Sequence, residues 1–373
     1  MGKAATGPEG IGIFCPPQTD TAHLGYQVTR FLLRMGSLAW CKTEVLPMPR
    51  GAFLRIRLKT SLFVKLAAGF DTLSLRRRLS LSTGQQETEL LMREIWIALL
   101  CAPTRIDFAN LDELQAHIRI RCNIAQAAEK TALAFKTDAA ERPADFWHDE
   151  PEVGFLLKPG VCLVDALMAA TQPERTGRLY DFSCYRATEY VILLGIAQEA
   201  RTASPRLYET LEQTARQHCI KSGRFHEVFL VEYGTLQAPV PMHYYVPGDR
   251  VWFKNPDERS SDAPGYEGSW VIYMGGGRFS NFWKRDAPYT LQAKAIEVYH
   301  WRDGAYIDGD SVVQMDENAV DAQVARTHKD PIKRQRVLRQ MSRYRDPGGV
   351  YGDGGCVDAS REFPRQLSQM QLP

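Results

Sequence analysis

The stretch GRLYDFSCYRATEYVILLGIAQEA, residues 177–200, decides how this chain is read. It opens on a glycine and a short run of extended character, reaches Cys184, and continues through a segment that is apolar nearly all round. A helix of that kind is buried at the centre of a domain rather than laid on its surface. Cys184 therefore stands at the N-terminal mouth of a central helix. Unpaired N–H groups and the macrodipole at that position favour a thiolate. A thiolate there can attack a carbonyl, with backbone N–H groups stabilising the oxyanion and a partner on a sheet moving the proton. The plain alternative is one more buried thiol behaving as a small hydrophobe.

Working outward, two helices precede this segment. QETELLMREIWIALLC (86–101) carries Leu90, Leu91, Ile95, Ala98 and Leu99 at helical spacing, with Glu94 turned outward. NLDELQAHIRIRCNIAQAAEKTALAF (110–135) reads as a longer helix capped at Asn110, its buried stripe formed by Leu114, Ile118, Cys122 and Ala125. Between them and Cys184, DFWHDEPEVGFLLKPG (145–160) is a loop and short strand with His148 at the surface. After the central helix the pattern turns to strands: FHEVFLVEYG (225–234), PMHYYVPGDRVWFKN (241–255), GSWVIYMGGG (268–277), RFSNFW (278–283) and AIEVYHW (295–301). Helices first and strands after give an α+β fold, a central buried helix packed on an antiparallel sheet.

The 373 residues suit two domains, or one large domain with extensions. The expected division is residues 1–86 as an N-terminal extension or small add-on domain, 87–315 as the catalytic domain, and 316–373 as a basic, Gly-rich C-terminal tail, in which a basic helix leads into a disordered Gly-rich end. Arg76, Arg77 and Arg78 read as a solvated basic face. A net charge of +2 gives no field that would draw the whole chain to nucleic acid. The eight cysteines are scattered singly, so they read as free thiols in a reducing compartment. No basic-then-apolar leader opens the chain, and SLFVKLAAGF (61–70) is too short and too charged to span a bilayer; a cytoplasmic or intracellular protein is expected. MGGGRF (274–279) reads as a hairpin turn, and HEVFL (226–230) lacks the second histidine of a zinc protease motif. No Cys/His cluster has metal spacing, so neither metal nor cofactor is expected.

Five blocks, in order, resemble the bacterial spore-coat-type transglutaminases, the protein-glutamine gamma-glutamyltransferases. They are LDELQAHIRIRCNIAQAAEKT (111–131); FWHDEPEVGFLLKPGV (146–161) with DALMAA (165–170); GRLYDFSC (177–184) with ATEYVI (187–192); GDRVWFKNPD (248–257); and GYEGSWVIYMGG (265–276). The likeness runs from about Glu87 to about His300. It implies a papain-like (NlpC/P60-like) core and calcium-independent acyl transfer. Cys184 would take the γ-carboxamide of a protein glutamine, release ammonia and hold a thioester. A lysine or small primary amine would then attack it, leaving an isopeptide cross-link.

The departures from the family pattern matter equally. In the family the cysteine is followed at once by Ala-Thr, whereas Tyr185 and Arg186 intervene here; an ungapped match would put Arg186 at the nucleophile position. The gapped match keeps the cysteine and the upstream YDF. The family's glutamate before its cysteine is Ser183. The glutamate of its Gly-Glu-Asn triplet falls on Ser269, and its histidine on Phe282. Substitutes are at hand in the sequence. Glu267 would share a strand face with Ser269. His226 and His243 lie in predicted strands, and Asn281, beside Phe282, could orient a base. Two rival functions follow from the same residues: a catalytically degenerate relative kept for binding or structure, and a cysteine deamidase that gives the thioester to water.

Overall fold

The computed structural model describes residues 7–17, 20–79, 86–135, 140–220, 222–346 and 354–372. The chain begins with β1 (Ile11–Cys15), α1 (Thr21–Arg34), β2 (Cys41–Met48), β3 (Gly51–Leu58), α2 (Thr60–Ala67) and α3 (Leu75–Leu79). It continues through α4 (Glu87–Leu100), β4 (Ile106–Phe108), α5 (Leu111–Lys130), β5 (Ala134–Phe135), β6 (Trp147–Glu150), β7 (Gly154–Leu157), α6 (Leu163–Thr171), β8 (Asp181–Phe182) and α7 (Cys184–Ala203). Then come α8 (Pro205–Gln217), α9 (Ser222–Phe229), β9 (Leu230–Tyr233), β10 (Arg250–Lys254), α10 (Glu258–Ser261), β11 (Gly268–Gly275) and β12 (Arg278–Phe279). The last elements are α11 (Leu291–Gly304), β13 (Ala305–Ile307), β14 (Val313–Met315), α12 (Glu317–Lys329), α13 (Pro331–Met341) and β15 (Arg361–Pro364). Among the described residues no helix is long and apolar enough to cross a membrane.

The mixed α and β architecture expected from the sequence is present. Its principal sheet runs β12-β11-β10-β15-β9, antiparallel throughout. Side chains alternate across a strand, and the two faces bury against different helices. Ile272 and Met274 join the cluster built around α7. Val251, Phe253, Val271 and Tyr273 join a second cluster with Leu291, Ala295, Ile296 and Val298 of α11. The turn from β11 to β12 uses Gly275, Gly276 and Gly277 at φ of 88°, 62° and 74°, a left-handed run that side chains resist, so the expected hairpin turn is there.

Several readings of the sequence need correction. AIEVYHW is not a strand but the middle of α11, which starts upstream with Thr290 as its cap, the hydroxyl accepting from Ala293 N–H at 3.1 Å. FHEVFLVEYG is half helix: α9 ends at Phe229 and only Leu230–Tyr233 is strand. Glu94 does not face outward. It is fully buried, accepting from Arg76 Nε at 2.8 Å and from Gly276 N–H at 2.7 Å. Arg76 and Arg78 are accordingly not a solvated face, for Arg78 binds Asp71 at 3.1 Å, although Arg77 is exposed. The segment after 316 contains the expected basic helix, α13, but is not otherwise a tail. It supplies α12, α13 and β15, and β15 fills the gap between β10 and β9, whose edges would otherwise present unpaired backbone groups. The glycine-rich part of that expectation, residues 347–353, lies outside the described residues.

A second sheet, in order β2-β3-β1-β4, precedes the principal one. β1 pairs antiparallel with β3 and parallel with β4, so the first residues of the chain are joined to the segment between α4 and α5. One apolar cluster runs through Ile11, Ile13, Phe31 and Phe63 into Trp96, Leu100, Ile118 and Tyr244.

Candidate active site

Cys184 is the first residue of α7, and its position is set by packing along that helix. Ser183 caps the helix, its hydroxyl accepting from the Arg186 N–H at 3.3 Å. Further down, α7 lies tight against α5. A Cβ built on Gly195 would sit 2.5 Å from Cγ1 and 2.8 Å from the backbone N of Ile124, so only glycine allows this approach. Just before the cysteine, Arg142 Nη1 donates to the Asp181 carbonyl at 3.0 Å, while its guanidinium lies 3.4 Å from the Phe182 ring centroid and 4.6 Å from that of Tyr190.

Cys184 itself is partly exposed and lies against the open edge of β11. On the β12 side of β11, the Ile272 N–H donates to Ser280 Oγ at 3.0 Å. Alternate N–H groups of a strand point the same way, so the Trp270 N–H also points to that side, ahead of the first β12 pair at Tyr273. Burial pushes the Cys184 thiol above its ordinary value. Hydrogen bonds from the backbone of Trp270 and Tyr185 and the charge of Lys294 pull it down, and the charge of Glu267 raises it further. The sequence expectation of a lowered thiol pKa is thus reversed. The donors at the helix mouth act in the expected direction, but desolvation outweighs them.

The two residues whose backbones act on the thiol also meet through their rings. Tyr185 meets Trp270 edge to face at 5.3 Å, and Trp270 stacks on Trp252 at 5.7 Å and 13°. From α11, Lys294 is buried with its ammonium 3.0 Å from Glu297 Oε1 and 3.9 Å from the Tyr289 ring centroid. Burial alone would lower its pKa, yet Glu297 and Tyr289 hold it up at about 12, so it is a fixed positive charge.

The residues singled out from the sequence are distributed unequally about this centre. Glu267 is exposed just before β11, and its charge acts on the Cys184 thiol. Ser269 pairs with Phe253 on the α11 face of the sheet, the opposite face from Trp270. His226 is on α9, not on a strand, and its Nδ1 lies 2.8 Å from Glu362 Oε1. His243 is also off the strands, exposed in a turn, where its carbonyl accepts from Thr72 N–H at 3.1 Å. Asn281 holds a loop, donating to the Ala287 carbonyl at 3.0 Å and accepting from Lys284 N–H at 3.2 Å. Phe282 is buried core. Arg186 forms an ion pair with the buried Glu189 at 2.7 Å and also donates to the Ile220 carbonyl.

Three residues near the site were not found from the sequence: Arg250, Glu362 and Lys294. Arg250 is fully buried, paired through Nε with Glu362, and its guanidinium carbon lies 4.8 Å from the Tyr185 ring centroid and 4.7 Å from that of Trp270. The one signal available was alternation: Arg250, Trp252 and Lys254 share a face of a predicted strand whose other face is Val251 and Phe253.

The family model for protein-glutamine gamma-glutamyltransferase matches residues 74–361. The chain belongs to this family, one of transferases that act on protein glutamines with amines as acceptors. The match runs beyond the five blocks at both ends and takes in the first residue of β15. A transglutaminase from Geobacillus stearothermophilus, solved without its C-terminal extension, is a structural neighbour with a TM-score of 0.38 and 16% identity, over 71% of this chain and 100% of that one. Comparison with curated protein sequences found no significant match.

Proposed function

We propose that the chain forms glutamyl-lysine isopeptide cross-links through a thioester on Cys184, within a papain-like (NlpC/P60-like) core. The observation that carries the reading is the setting of Cys184: a partly exposed residue at the start of the buried helix α7, with the backbone donors of Trp270 and Tyr185 directed at its sulfur. The sulfur attacks the γ-carbonyl carbon of a protein glutamine. Negative charge develops on the carbonyl oxygen, where backbone N–H groups at the helix mouth stabilise it. The C–N bond breaks, ammonia leaves with the thiol proton, and a thioester remains. An uncharged primary amine then attacks the same carbon, the C–S bond breaks, the amine proton returns to sulfur, and an amide is formed. Glu267 is the proposed proton carrier, because it is exposed and its charge reaches the thiol.

A second reading draws on the raised thiol pKa. A relative kept for binding has no need of a reactive thiolate. The experiment that separates the readings is incorporation of a labelled amine into a glutamine-donor protein, with ammonia release followed in parallel, for the full chain and Cys184→Ala. Incorporation abolished by the substitution supports the cross-linking enzyme. Ammonia release without incorporation supports the deamidase. Silence of both proteins, with Cys184 resisting alkylation, supports the binding role.

A further inference from the structure

We propose that Arg250 is a positioning residue whose buried guanidinium clamps the rings of Tyr185 and Trp270 and so fixes the backbone donors that those two residues direct at Cys184. The proposal rests on Cys184 being the reacting thiol. Its basis is an unusual arginine. Arg250 is 1% exposed, and while Nε is paired with Glu362, Nη1 and Nη2 are buried without a hydrogen-bond partner. Buried donors left unmade are costly, and the compensation here is aromatic. The guanidinium carbon is 4.8 Å from the Tyr185 centroid and 4.7 Å from the Trp270 centroid, and the two rings meet each other at 89°. The planar ion therefore replaces hydrogen bonds with two ring faces.

The two clamped rings belong to the same residues whose backbones face the sulfur. Tyr185 follows Cys184 directly, and Trp270 lies on the open edge of β11. A ring that cannot shift holds its own peptide plane, so the clamp links the mouth of α7 to the strand edge. Trp252, directly across from Trp270 on β10, adds a stacking contact to the same ring. Glu362 anchors the arginine from β15, in direct register with it, and is itself bound by His226 Nδ1 from α9. His226, expected from the sequence as an acid or base, serves in this arrangement as the outer partner of that carboxylate.

The test measures alkylation of Cys184 by iodoacetamide across neutral to alkaline pH, resolved from the other cysteines by peptide mass spectrometry. It uses the full chain and the variants Arg250→Met, Arg250→Lys and Glu362→Gln, with circular dichroism to establish folding. Lys294 and Glu267 also act on this thiol and remain unchanged. The expected result is an upward shift of the pH midpoint by about one unit in Arg250→Met, which is about a tenfold lower rate at neutral pH. A smaller shift in the same direction is expected in Glu362→Gln, and Arg250→Lys should not restore the midpoint. A folded Arg250→Met with an unchanged or lowered midpoint overturns the proposal. If that variant does not fold, an unchanged midpoint in Glu362→Gln overturns it. The alkylation midpoint is independent of turnover, so loss of the cross-linking reading appears separately, as absent amine incorporation by the unsubstituted chain.

Discussion

Gly195 and Ile124 are in a contact that no other residue at position 195 could make, for an added Cβ would fall 2.8 Å from the backbone nitrogen of Ile124. Backbone cannot rotate away as a side chain can. Gly195→Ala is expected to push α7 off α5 and destabilise the fold by about 1–3 kcal/mol, and Gly195→Val by more. Urea unfolding of both variants measures this. Because α7 carries Cys184 on its first residue, the alanine variant should also lose activity in proportion greater than its loss of folded protein.

The thiol of Cys184 is held above its ordinary value, with burial as the chief cause. At neutral pH the thiolate is thus a smaller fraction than for a free cysteine. The rate of amine incorporation should still be climbing at pH values where an exposed cysteine has already reached its plateau. A pH–rate profile of the full chain, set against alkylation of a model peptide thiol, decides the matter.

His117 is buried beside Arg121, whose Nε donates to its Nε2 at 2.7 Å. Burial first, and the Arg121 charge second, push its pKa well below the ordinary 6.5. The folded state keeps the ring neutral where the unfolded state takes a proton, so stability is present above about pH 6.5 and is lost as pH falls below it. The expected slope for one proton is about 1.4 kcal/mol per pH unit. Denaturant unfolding between neutral and mildly acid pH should show it, and His117→Gln, which still offers Arg121 an acceptor, should flatten it.

Glu94 and Arg76 tie α4 to α3, and Glu94 is fully buried. Removing Glu94 takes away the buried carboxylate of the pair and leaves Arg76 with Glu87 at the surface. Arg76 keeps a second carboxylate in Glu87, so Glu94→Ala is expected to cost about 2–3 kcal/mol, at or below the low end for a broken buried pair, and adding Arg76→Met should recover part of it. A double-mutant cycle in chemical denaturation measures the coupling.

Much of this architecture is legible from period alone. α4, α5 and α7 each carry enough turns of apolar spacing to be found, and Asn110 is seen as a cap because its side chain accepts from Glu113 N–H at 2.9 Å. α11 resembles a strand when only residues 295–301 are considered; from Thr290 and Leu291 onward the cap and the 291, 295, 298 stripe mark it as a helix. β15 spans four residues within what reads as a tail, and its neighbours Tyr233 and Arg250 are remote in sequence, so no local pattern reveals it. At the site, position is what the sequence conveys, since Cys184 does open the central helix. Ionic partners are what it hides. Glu94, Arg121 and Arg250 are charged letters that a sequence reading turns outward, and only the fold brings each to the group that lets it be buried.

β15 also bears on the order in which the protein can be completed. β9, β10 and β11 leave the ribosome while the strand that belongs between β9 and β10 is still unsynthesised. The nascent sheet has a slot in its middle, and Arg250 lacks its carboxylate. Closing the slot brings residues 250 and 362 into register. The central pairing of the sheet therefore forms only after translation has passed residue 364.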